Sequence, residues 1–267
     1  LLEQAARDSS YYHDRWAAHG SDPRSFVKSL RLYPIGELAS FAGHIKHVRS
    51  VGFAPDGRRA FSVGADRSIR IWDVQSGRCL KNLRTFNFVP VAGALSPDGK
   101  LAATAYGDVF KTLDFWDLDQ GTLRFRSPGM AVSGVCFSPD SVYAAAFGDG
   151  KRIRVFETAS ESIVGELIDT GAPVTALAFL SDGKALAIGR EDGSLTVRQW
   201  ATGEEVMHVS VARGAVGHIH VDADGRRMIT GSADEFVRLW DSRSGEEIRR
   251  FSGHRGNVSH AGSTPDG

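Results

Sequence analysis

Short apolar runs alternate with clusters of Gly, Asp, Pro and Ser along most of this chain. In one unit, Val48, Val51 and Phe53 precede the turn signal Pro55-Asp56-Gly57. Ala60-Phe61-Ser62 follows, then a second turn at Gly64-Ala65-Asp66-Arg67. Residues 68–73 then alternate strictly, and Gln75-Ser76-Gly77 turns the chain toward Cys79-Leu80. Runs of this length, rich in β-branched and aromatic residues and bounded by turn formers, predict strands. No stretch keeps apolar residues at i, i+3, i+4 and i+7 for ten residues, so helix is not expected within the units. Each unit therefore reads as four short antiparallel strands, a to d.

The unit repeats. The a–b turn aspartate recurs at Asp56, Asp98, Asp140, Asp182, Asp224 and Asp266, always 42 residues apart. A period of about 40–45 residues built from four strands is that of a propeller blade. The reading is an all-β propeller of four-stranded antiparallel blades: five complete units and partial blades at both ends. The units lie near 42–84, 85–127, 128–169, 170–211 and 212–252, with a partial one at 253–267.

Particular residues then carry a resemblance. Gly43-His44, Ser62, Asp66 and Trp72-Asp73 resemble the signature of the WD-repeat (WD40) family, over about 34–267. The fifth unit repeats it as Thr230-Gly231-Ser232-Ala233-Asp234 and Trp240-Asp241, and the sixth opens with Gly253-His254 and Val258. Middle units depart from it: Phe86 stands in the His slot of the second, Phe156-Glu157 replaces Trp-Asp in the third, and Arg198-Gln199 in the fourth. Ala212 replaces the His of the fifth. The resemblance implies a buried hydrogen-bonded tetrad of His44, Ser62, Asp66 and Trp72, partly repeated by Thr230, Asp234 and Trp240. Residues 35–41 match 245–251, the outer d strand, which in the family closes the ring. The chain is accordingly expected to be a fragment with at least one further blade. Residues 1–33 fit no blade and read as a linker or the tail of an upstream domain.

Composition narrows the partners. Lys plus Arg equals Asp plus Glu at 32 each, so no excess positive charge argues for nucleic acid or an anionic membrane. There is no run of eighteen apolar residues. The two cysteines, Cys79 and Cys136, have no metal or redox spacing, and a reducing, cytoplasmic setting is expected. Arginine outnumbers lysine 25 to 7, a bias suggesting GC-rich coding, which with the resemblance suggests a bacterial-type array.

Three constellations have chemical potential. His44, Ser62 and Asp66 have the residue types of a hydrolytic triad, but no nucleophile elbow accompanies them, and the tetrad reading is preferred. His218 and His220 share a strand face at positions held by small residues in earlier units, and His260 repeats His218 in the sixth. Three imidazoles would suit zinc; without carboxylate or thiolate companions, packing or solvation is the expected role. Asp222-Ala223-Asp224-Gly225 opens like a calcium loop but lacks the remaining ligands. No cofactor and no enzymatic activity are expected. The expected function is a non-catalytic protein–protein interaction scaffold, with a sensor or autoinhibitory domain of a larger signalling NTPase, kinase or caspase-like protease as the alternative. The resemblance places partner contacts at His47, Arg49, Ala65, Ser133, Asp149, Thr175, Glu191 and Asn257.

Overall fold

A computed structural model describes residues 41–262, apart from 55–56, 85–87, 108, 149–150, 169–170, 212 and 223. The segment 1–33, Asp149 and the closing turn at Asp266 lie outside the described residues. The first blade contains β1 (Val48–Phe53), β2 (Arg59–Gly64), β3 (Ser68–Asp73) and β4 (Cys79–Arg84). The second contains β5 (Ala92–Leu95), β6 (Leu101–Tyr106), β7 (Thr112–Asp117) and β8 (Thr122–Pro128). The third runs through β9 (Val132–Phe137), β10 (Tyr143–Gly148), β11 (Arg152–Glu157) and β12 (Ser162–Ile168). The fourth comprises β13 (Val174–Phe179), β14 (Ala185–Arg190), β15 (Ser194–Gln199) and β16 (Glu205–Ser210). The fifth comprises β17 (Val216–Val221), β18 (Arg227–Ser232), β19 (Val237–Asp241) and β20 (Glu247–Phe251).

Every blade is an antiparallel meander in chain order, and the all-β propeller read from the repeat is the fold observed. No helix occurs among the described residues. The a–b turns explain the even spacing. Gly57, Gly99, Gly183 and Gly225 adopt φ of 61–71°, the left-handed conformation such a turn needs, and Ser141 takes φ 63° where glycine is absent.

No blade has a core of its own. Each hydrophobic cluster lies in the junction between consecutive blades. Phe61, Val63 and Ile69 pack with Ala102, Trp116 and Leu118 between blades one and two. Phe115 and Leu113 meet Phe137 and Phe156 between two and three. Ile153 and Val155 meet Leu186 and Ile188 between three and four. Leu195 and Val197 meet Met228 and Trp240 between four and five. The small residues of β6 and β10 follow from this: Ala102, Ala103, Ala144 and Ala145 are fully buried, covered by a blade on either side.

The a strands line a central channel of about 1190 Å³. On β9, β13 and β17 the leading valines, Val132, Val174 and Val216, are buried, whereas Val48 of β1 is 48% exposed. Val51 and Phe53 are more exposed still, so the outer apolar face of blade one is uncovered among the described residues. At the other end, residues 253–262 run beside β17: Val258 is buried and its N–H donates to the Ser232 carbonyl at 3.0 Å.

Candidate functional site

Blade one carries a polar network that ties its strands together. The Trp72 indole N–H donates to Ser62 Oγ at 2.7 Å, and Ser62 lies 2.7 Å from His44 Nε2. His44 Nδ1 lies 2.9 Å from Asp66. Every group is satisfied if Nδ1 carries the proton and Nε2 accepts from the serine hydroxyl. Burial opposes the Asp66 charge, but hydrogen bonds from Ser68, His44 and the Ile45 N–H outweigh it and hold the pKa at about 2. Ser62 is buried and engaged on both sides, so this triad-like set presents no nucleophile to solvent.

Blade five solves the same problem differently. Trp240 donates to Thr230 at 2.9 Å, but Asp234 is met by Arg238 at 2.6 Å instead of a histidine. Burial opposes the Asp234 charge, while Arg238 and Ser232 hold the pKa at about 2. Blade two joins Trp116 to Thr104 at 2.9 Å and buries Asp114 under a bidentate pair with Arg126, 2.7 Å for each bond. Sequence reasoning missed both arginines. For Arg238 the available signal was the four-residue spacing it shares with Asp66 and Arg70; Arg126, on the strand next to Asp114, had none.

The channel wall holds the histidines. His218 and His260 come together, ring centroids 5.1 Å apart, and the Ala261 N–H donates to His218 Nδ1 at 3.3 Å. Burial first, then the neighbouring His260 and His220, lowers the His218 pKa to about 4; burial also lowers that of His220. Among the described residues, no group of three or more His, Cys, Asp or Glu converges on a possible metal position. Cys136 faces the same channel, and burial raises its thiol to about 12, far from a reactive thiolate.

Acid should therefore loosen the 253–262 segment. Unfolded His218 accepts a proton near pH 6.5, whereas the folded ring resists until about pH 4. Its stabilising contribution is complete above pH 6.5 and is lost as pH falls toward 4. Allowing for screening at this partly exposed ring, the loss is about 1–2 kcal/mol. The melting temperature should fall through that window, and His218→Gln should flatten part of the fall. Parallel melting curves for the two proteins would refute this.

At one end of the channel, where a strands begin and b strands end, His47, Arg49, Ser133, Glu191 and Asn257 are exposed. None has a side-chain hydrogen bond or ion pair among the described residues. Thr175 differs: it is half-buried and its hydroxyl donates to the Val216 carbonyl at 2.8 Å, stitching blades four and five. Ala65 is buried.

A model described as WD domain, G-beta repeat matches residues 36–73 and 204–241. The chain is a WD40-repeat protein. A second model, anaphase-promoting complex subunit 4 WD40 domain, matches residues 135–221 of the WD40 array. Relatives include WD repeat-containing protein 55 of Bos taurus, 29% identical over 214 residues, 75% of this chain and 53% of the relative. Small ribosomal subunit protein RACK1y of Oryza sativa subsp. japonica is 27% identical over 175 residues, 62% of this chain and 51% of the relative. Telomerase protein component 1 of Mus musculus is 27% identical over 155 residues, 58% of this chain and 6% of that much longer protein. The chain thus spans about half the length of the first two.

Proposed function

We propose that this WD40 array is a non-catalytic scaffold that binds a protein or peptide partner on the channel end carrying His47, Arg49, Ser133, Glu191 and Asn257. One observation carries the reading: these polar side chains stand exposed and unengaged at the rim of a frame whose other polar groups are largely tied down. Exposed loop ends on a rigid scaffold suit recognition, because little ordering entropy is lost on binding. Two relatives bear names that place them in multi-component assemblies, a ribosomal subunit and telomerase. A protein partner also agrees with the balanced charge.

Affinity capture with the purified chain, read by quantitative mass spectrometry, tests the reading. A variant combining His47→Ala, Arg49→Ala and Glu191→Ala should lose the partner while keeping its melting temperature. Capture of the same proteins in the same amounts by both forms would exclude this rim as the binding surface.

A further inference from the structure

The residue directly after the Trp-Asp pair closes the back of the a–b turn in each blade. In blades two to five it is Leu118, Thr158, Trp200 and Ser242, and each backbone N–H makes the equivalent bond, to the carbonyls of Lys100, Val142, Lys184 and Arg226 respectively. The side chains diverge. Thr158 donates to the Ser141 carbonyl at 2.8 Å, Trp200 to the Gly183 carbonyl at 2.9 Å, and Ser242 to the Gly225 carbonyl. Leu118 has no donor to offer the corresponding carbonyl, Gly99.

Between blades three and four the junction is filled. The Trp200 ring lies 5.0 Å from Tyr143 and so close to Gly165 that a Cβ there would sit 2.9 Å from it. The corresponding positions between blades one and two are Arg59 and Lys81. There the junction is hollow. A crevice of about 200 Å³ opens, lined by Ala54, Phe61, Ile71, Leu95, Gly99 and Leu118, with Arg59, Leu80, Lys81 and Asp119 completing its wall. This falls below the roughly 300–1,000 Å³ of small-molecule pockets and suits a single side chain.

We infer that this crevice is a docking site for a tryptophan side chain presented by a partner peptide with acidic neighbours. The molecule supplies its own template, since the Trp200 indole fills the equivalent place. An incoming indole would rest on Phe61, Ile71 and Leu118 and direct its N–H to the Gly99 carbonyl. The acidic neighbours follow from charge. Lys81 donates to the carbonyls of Leu118 and Asp119 at 2.7 Å each, and no carboxylate lies within ion-pair distance of it among the described residues. Arg59 and the exposed Asp119 also line the wall. The site lies on the flank of the ring and stands independently of the rim surface proposed above.

A capped Asp-Trp-Glu tripeptide, fluorinated on the indole and followed by fluorine NMR, is the probe. It should give a saturable shift with the whole chain. Replacing its tryptophan by fluorinated phenylalanine removes the donor to Gly99 and should weaken binding about fivefold, the worth of one net hydrogen bond. Lys81→Gln should also weaken it, by about fivefold at low salt. Leu118→Trp combined with Lys81→Gly reproduces the Trp200–Gly165 pair of the junction between blades three and four and should abolish binding. Lys81→Gln, a single change that keeps a polar side chain at this half-buried position, keeps the test alive if that double variant does not fold. No saturable shift with the wild-type chain, or equal affinity across the variants, would overturn the site.

Discussion

Replacing Trp72 by Ala is expected to lower stability by about 3–5 kcal/mol, the usual loss for a large buried aromatic. The ring is 1% exposed and packs beside Phe41 and His44, at 5.6 and 6.1 Å between centroids. Its N–H supplies one of the bonds to Ser62, so truncation removes packing and a donor together. Trp72→Phe separates the two contributions. It keeps most of the packed surface but leaves the buried serine short of a donor, for about 1–2 kcal/mol. Denaturant midpoints at unchanged slope are the measurement. A loss below about 1 kcal/mol for Trp72→Ala would mean that the network does not hold blade one together.

The second large effect belongs to Arg126. Asp114 is fully buried, and Arg126, about one-third exposed, covers it with two bonds of 2.7 Å. The hydrogen bond to Asp114 raises the arginine pKa, so the cation is held firmly at any accessible pH. Arg126→Leu strands a carboxylate in the interior. Breaking a buried pair typically costs about 3–5 kcal/mol, and the exposure of Arg126 brings the expected loss to about 2–4 kcal/mol. Asp114→Leu combined with Arg126→Leu should recover most of it, because no charge is left uncompensated. A double variant no more stable than Arg126→Leu would show that the arginine acts by packing alone.

The contrast between these residues explains what could be read from the chain. Trp72, Ser62, Asp66 and His44 match the WD-repeat signature within one unit, and that resemblance is what implied their association. The turn positions were visible directly: glycine, or Ser141 in its place, meets one local backbone requirement. The middle units were harder. Phe156 in the tryptophan slot packs 5.6 Å from Phe115 and 6.4 Å from Phe125, replacing a polar network by aromatic contact across a junction. Asp114 finds its partner on the adjacent strand, where Arg126 looks like ordinary surface charge. The rim residues were marked by the family pattern, yet Thr175 is absorbed by a bond to the next blade. The hollow beside Leu118 escaped notice because it depends on what the preceding blade contributes. Local spacing reports contacts within a unit, while junctions bring together residues about 40 positions apart.

Because the hydrophobic clusters lie between blades, no blade is a unit of inheritance by itself. Deleting one would strip cover from two neighbours, and duplicating one would require compatible faces on either side. Changes in the turns carry no such obligation. An array built this way can diversify quickly at its tips while its seams change in pairs, and mismatched seams such as that beside Leu118 are where new binding capacity can arise without disturbing the stack.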